Sequence, residues 1–195
     1  LKFSMCKMNV LMIGIYFVIV CRLFMLWNSK RIRYLCLLLC FFVVHFLMPF
    51  RNNDYVMFFD VGQGDSALIN VNKNVTLIDT GGMVSFDDSE YKYKIAKNKI
   101  IPYLKANGIR KIDNMILTHG DADHMKEAVY IANNFKVDKV IFNCGEFNDL
   151  ENELVDVLKR RNISYSSCVN EVVVDKYRLN FLNSGIYDNE NDNSS

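Results

Sequence analysis

The spacing of apolar positions changes near residue 50. From Met8 to Trp27 the chain is almost continuously apolar, broken by Asn9, Gly14 and Arg22. A second run, Tyr34 to Phe50, is broken by His45 and Pro49. Runs of roughly 17–25 such residues are the length of a membrane-spanning helix. The link Asn28 to Arg33 carries Lys30, Arg31 and Arg33, so the pattern predicts a transmembrane helical hairpin with a basic turn. Beyond it, short apolar stretches alternate with turn residues. Strands are predicted at Tyr55–Phe59, Ser66–Ile69, Val75–Ile78, Ile112–Leu117, Val137–Phe142, Ile163–Ser166, Glu171–Val174 and Tyr177–Leu182. Helices are predicted at Ile101–Asn107, closed by Gly108, at Asp123–Asn133 and at Asp149–Arg161. In the last, Leu150, Leu154, Val157 and Leu158 share one face. Strands first and then strands alternating with helices describe a mixed sheet with helices packed on it. The expected division is 1–50 for the two transmembrane helices and 51–195 for the α/β domain.

Charge sharpens that division. The 195 residues carry a formal net charge of +1, from 23 Lys and Arg against 22 Asp and Glu. The first fifty contain Lys2, Lys7, Arg22, Lys30, Arg31 and Arg33 and no acidic residue, so they are +6 and the remainder is −5. A signal peptide explains one apolar run but not two, and neither run has the polar face of a helix lying on a membrane. Basic residues favour the cytoplasmic side, which sets the Lys30–Arg33 turn inside and the following domain outside; Lys2 and Lys7 argue weakly the other way. Arg22 is expected to reach the interface and His45 to bond a neighbouring backbone. The chain opens on Leu1 and closes on an Asn, Asp and Ser tail, and is expected to be a piece of a longer protein.

The six cysteines include no Cys-x-x-Cys pair, which argues against a zinc-cysteine site. Cys36 and Cys40 share a helix face as small apolar residues. Cys144 and Cys168 are expected to stay unpaired, although an extracytoplasmic location would permit a disulfide.

The chemistry concentrates in Leu117-Thr118-His119-Gly120-Asp121-Ala122-Asp123-His124. Two imidazoles and two carboxylates fall where a strand gives way to a helix, and only one other histidine exists in the chain. Such a turn can aim several donors into one pocket, and metal binding accounts for this clustering better than a polar turn in which Asp123 merely caps the helix. An EF-hand is excluded by the spacing.

His119-x-Asp121-x-Asp123-His124 resembles the signature of the metallo-β-lactamase fold. Asp60-Val61-Gly62-Gln63-Gly64-Asp65-Ser66 and Leu77-Ile78-Asp79-Thr80-Gly81-Gly82 resemble that fold's opening strands. Together the three resemble the carboxy-terminal domain of the ComEC family of competence proteins, the DNA-uptake channels of transformable bacteria, in which this domain follows a multi-helix membrane region. The resemblance implies an α/β fold class: an N-terminal transmembrane hairpin followed by a metallo-β-lactamase-like (αββα) mixed-sheet domain. It implies a metal-dependent, nuclease-like hydrolase in the full-length parent, single-stranded DNA and other competence-machinery proteins as partners, and a multi-pass cell-membrane location. By the same resemblance His119 and Asp121 would bind one divalent ion and Asp123 and His124 a second. Asp123, Asp79 and Asp65 would serve catalysis, Asp79 and Asp65 as supporting carboxylates. Asp121 stands where zinc hydrolases of this fold commonly have an imidazole; a harder ligand leans the site toward Mn²⁺ over strict zinc selectivity. Lys126-Glu127 stand where the family usually has small residues. No histidine follows His124, and the tail resembles the stretch before the family's next ligand strand. The domain is therefore expected to be truncated at its C-terminus and the fragment inactive.

Two other readings compete. Leu77-Ile78-Asp79-Thr80-Gly81 matches the apolar-Asp-Thr-Gly of aspartic proteases, whose two carboxylates share a proton, but leaves the histidines unexplained. A membrane-anchored module that only docks DNA or partners needs no complete site. Lys92, Lys94, Lys97 and Lys99 with Tyr91 and Tyr93 could follow a single strand; a solvated charged face is the expected role, since a −5 domain opposes phosphate binding.

Overall fold

The structure, a computed structural model, describes residues 10–25, 54–82 and 94–182. The chain divides into two compact units at Arg51 and Asn52. In the first, helix α1 spans Val10–Met25, 16 residues, with Phe17, Val18 and Met25 exposed. Among the described residues no helix is long and apolar enough to cross a membrane. The second apolar run, the basic turn and His45 lie outside the described residues, as do Tyr91, Lys92, Tyr93 and the tail.

The second unit is built on a six-stranded sheet in sequential order. Strands β1 (Tyr55–Phe58), β2 (Ala67–Val71) and β3 (Asn74–Ile78) form an antiparallel meander. Strands β4 (Ile112–Ile116), β5 (Val137–Phe142) and β6 (Ser164–Ser167) continue it in parallel with β3. Asn72 and Lys73 both adopt positive φ, 47° and 68°, as a two-residue hairpin turn that matches the strand twist requires. Parallel neighbours need crossovers, and three helices supply them: α2 (Ile101–Ala106), α3 (Ala122–Asn134) and α4 (Asp149–Arg161). Their apolar residues join one strand face in a single core around Leu68, Leu77, Met115, Val140, Met125 and Leu154. The period of two along the strands sends Ile116 and Ile141 to the other face. There a separate hairpin, β7 (Glu171–Val174) with β8 (Tyr177–Asn180), buries Val172 and Val174 against them.

Three departures from expectation have identifiable physical causes. A π-helical segment, Ala96–Ile100, runs into α2. The buried Glu127 carboxylate accepts from Ile95 N at 3.2 Å and Ala96 N at 2.9 Å, satisfying donors that a helix start leaves open. Burial pushes the Glu127 carboxyl pKa up, and those two N–H groups oppose the shift. Lys126-Glu127 thus departs from the resembled pattern because Glu127 ties α3 to the start of this helical stretch. Second, β2 begins at Ala67 rather than Ser66, whose hydroxyl donates to Asp79 O at 3.0 Å. Third, Cys144 and Cys168 are joined by a disulfide, against the expectation that they stay unpaired. The parallel register Phe142↔Ser167 brings the ends of β5 and β6 together, and the two Cα atoms come within 4.6 Å.

Candidate metal centre

The site lies at the carboxyl ends of β3 and β4, where parallel neighbours release their chains on the same edge. Asp79 follows β3. It is 3% exposed and sits at φ 51°, a left-handed conformation that Asp tolerates better than most residues. Its N–H donates to Ile116 O at 2.9 Å, which fixes its carboxylate beneath the turn leaving β4.

Both Asp79 oxygens are engaged there. Oδ1 accepts from Thr118 N at 2.9 Å, and Oδ2 accepts from Thr118 Oγ1 at 2.7 Å. The same Oδ2 lies 3.0 Å from His124 Nδ1. A carboxylate only accepts, so His124 carries its proton on Nδ1. Thr118 gives its single hydroxyl proton to Asp79, so in its 3.0 Å contact with His119 Nδ1 the imidazole is the donor. These tautomers are assigned from the hydrogen-bond network. Whenever either ring is neutral, its lone pair is then on Nε2. The hydrogen bond to Asp79 holds the His124 pKa above the usual imidazole range; burial opposes it, and the charges of Asp79, Asp123 and Asp65 add to it.

His119 and His124 lie side by side with ring centroids 3.9 Å apart and planes tilted by 47°. One ligand atom from each of His119, Asp123 and His124 lies within 4.8 Å of the other two. His124 Nε2 is 3.9 Å from Asp123 Oδ2. Two imidazoles and a carboxylate suit Zn²⁺ or Mn²⁺, and ligand bonds of about 2.0–2.2 Å fit that spread with small side-chain adjustments. Neither aspartate is spent on the helix: Asp121 is the N-cap of α3 but makes no side-chain cap bond, and Asp123 lies inside the first turn.

The structure therefore brings together three of the four expected ligands. Asp121 stands outside the group, with its Oδ2 3.6 Å from His119 Nε2. The pairs expected for two ions lie at 3.6 Å for His119 with Asp121 and 3.9 Å for His124 with Asp123, and the two rings are adjacent. Asp79 contacts His124 directly and reaches His119 through Thr118. Its side-chain partners, Thr118 and His124, are not the second carboxylate of a protease dyad. Asp65 is exposed and reaches His124 through its charge. Lys99 bonds Asp60, its Nζ 3.1 Å from Asp60 Oδ2, which occupies one of the basic residues considered for a DNA strand.

Several residues that shape the site had been given no role from sequence. Thr118 carries the contact from Asp79 to His119. Gly64 and Gly82 are cushions: a Cβ on Gly64 would lie 1.9 Å from Asp123 O, and one on Gly82 2.0 Å from Ala122 O. Asn148 caps α4 and donates to Gly120 O at 2.9 Å; the Asn-x-x-Glu spacing of a capping box was the signal available for it.

Residues 59–166 match the Metallo-beta-lactamase superfamily. This covers more than half of the chain, and the chain belongs to that superfamily, whose members typically bind divalent metals. Within it, the chain is similar to competence proteins of the ComEC family. ComE operon protein 3 of Bacillus subtilis is 33% identical over 103 residues, 49% of this chain and 13% of that protein. Competence protein ComA of Neisseria gonorrhoeae is 34% identical over 74 residues, 38% of this chain and 9% of that protein. Recombination protein 2 of Haemophilus influenzae is 35% identical over 97 residues, 50% of this chain and 11% of that protein. The matched stretch is thus a small part of each relative's length.

Proposed function

We propose that this chain is part of a membrane DNA-uptake protein, and that residues 52–195 belong to an extracytoplasmic, metal-dependent phosphodiesterase-like domain acting on single-stranded DNA. The observation that carries this reading is the Asp79 hub, which through His124 Nδ1 and Thr118 leaves His124 Nε2 beside Asp123 and His119 Nε2 beside Asp121. His119, Asp123 and His124 would hold a divalent ion, and Asp121 would contribute the extra carboxylate for a second. Divalent ions in such a site lower the pKa of bound water and neutralise charge on a phosphodiester. The chain's own work is positional: Asp79 and Thr118 fix both rings, and Asp123 both ligates and orients the attacking water. His119→Ala and Asp123→Ala are each expected to reduce Mn²⁺ or Zn²⁺ affinity at least tenfold in calorimetry, since each removes one of three converging donors. In the full-length protein Asp123→Ala should abolish chelator-sensitive cleavage of a labelled oligonucleotide. Unchanged metal binding by both variants would refute the ligand assignment.

The apolar, basic amino-terminal segment and its exposed Phe17, Val18 and Met25 support a membrane anchor. The disulfide supports an extracytoplasmic domain, because cytoplasmic reductants keep thiols free. Closing a loop of 24 residues, it contributes about 3 kcal/mol in the chain-entropy account. Acid quenching of intact cells followed by alkylation and mass mapping should find Cys144 and Cys168 oxidised. Recovery of both as alkylated thiols would overturn this topology.

A further inference from the structure

We propose that Asn148 is a positioning residue of the metal centre: its side-chain amide, locked by the capping box of α4, holds the Gly120 carbonyl and so sets the loop that carries His119 and Asp121. The inference rests on the metal-site reading above and extends it to a residue far from the ligand turn in sequence.

Each atom of the Asn148 side chain has one task. Oδ1 accepts from Leu150 N at 2.9 Å and from Glu151 N at 3.0 Å. With the oxygen committed to two backbone donors, the amide cannot flip, and Nδ2 must face the other way. It donates to Gly120 O at 2.9 Å. The buried Glu151 completes the box, its Oε2 accepting from Asn148 N at 2.9 Å. The start of α4 is thereby bolted to the backbone between His119 and Asp121.

Gly120 fits the same account. A Cβ there would lie 2.2 Å from Asn148 Nδ2 and 2.8 Å from Glu151 Oε2. Its φ is not positive, so no backbone conformation demands glycine. Space does, and the space is taken by the capping box. The cap alone accounts for Asn148 Oδ1, since aspartate or serine would cap as well. It does not account for an amide nitrogen directed at a ligand loop, which neither of those residues provides.

That difference supplies the test. Asn148→Asp and Asn148→Ser keep an acceptor for Leu150 N and Glu151 N but remove the amide NH₂ that reaches Gly120 O. Asp also turns a negative oxygen toward that carbonyl. The full 195-residue chain, purified in detergent, is measured with and without Mn²⁺. For both variants the metal-free melting temperature should stay within about 4 °C of wild type, the scale of a loss near 1 kcal/mol at this size. Their Mn²⁺ affinity should fall 10–100-fold, as when outer-shell partners of ligands are removed. Amide exchange in the metal-free chain should quicken over residues 118–121 and stay unchanged within α4. Wild-type affinity with unchanged exchange in both variants would overturn the proposal. So would faster exchange throughout α4, which would make Asn148 a helix cap and nothing more. If wild type binds no Mn²⁺, the metal reading falls, while the exchange result still decides whether Asn148 holds the loop.

Discussion

Asp79→Ala is expected to cost about 3–5 kcal/mol of stability, because three donors lose one acceptor at about 1–3 kcal/mol for each left unmet, and to eliminate measurable metal binding. The change leaves Thr118 N, Thr118 Oγ1 and His124 Nδ1 without their common acceptor at a position 3% exposed. Unmet buried donors carry their full desolvation penalty. Alanine is also poorly suited to φ 51°, adding strain of about 1–3 kcal/mol within that total. Both imidazoles then lose the contacts that set their tautomers. Asp79→Asn separates folding from metal binding, because asparagine tolerates the left-handed backbone and still accepts from Thr118 N. Its NH₂ group, however, faces His124 Nδ1 and can only donate. His124 must then accept on Nδ1 and carry its proton on Nε2, pointed at the ligand position. Urea unfolding should show the Asn variant clearly more stable than the Ala variant. Calorimetry should find its Mn²⁺ affinity reduced 10–100-fold or more, and nitrogen-resolved NMR of the imidazoles should report the reversed tautomer. Near wild-type affinity in the Asn variant would remove Asp79 from its place as the hub.

Gly64→Ala should be nearly as damaging, through sterics alone. Gly64 has φ 90°, and an added Cβ would lie 1.9 Å from Asp123 O and 2.7 Å from its carbonyl carbon. Those are backbone atoms of the first turn of α3, and they cannot swing aside like a side-chain tip. Strain and overpacking together amount to about 2–5 kcal/mol, a fall of roughly 5–15 °C in melting temperature at this size. What relaxes is the backbone of a ligand residue, so Mn²⁺ affinity should fall as well. Gly62→Ala is the control: φ is 83°, but nothing lies within 4 Å of its added Cβ. It should cost only the backbone term, about 1 kcal/mol, and leave affinity unchanged. Equal effects of the two substitutions on metal binding would show that turn strain, not contact with Asp123, is responsible.

The order and kind of the elements in the second unit were legible because each is written locally. Strands β3 to β5 show as short apolar runs between turn residues, and α4 shows as an apolar stripe with a stop at its end. The ligand turn was legible because histidine is scarce and two of three fall together. The helical stretch before α2 was not, since residues 96–100 carry no local start signal and are begun by Glu127, 31 residues from Ala96. Nor was the disulfide, whose cysteines meet only because β5 and β6 pair in one particular register.

The sequence by itself determined which donors exist and where along the sheet they emerge. Tertiary structure alone decided which way they face. Asp79 meets Thr118 across 39 residues and His124 across 45, and no local pattern encodes which ring nitrogen receives the proton. That choice follows from a carboxylate that can only accept, held at the end of a neighbouring parallel strand. For the same reason Asp121 and Asp123, two residues apart and chemically identical, differ: the helix start turns one carboxylate toward the paired imidazoles and leaves the other beside His119.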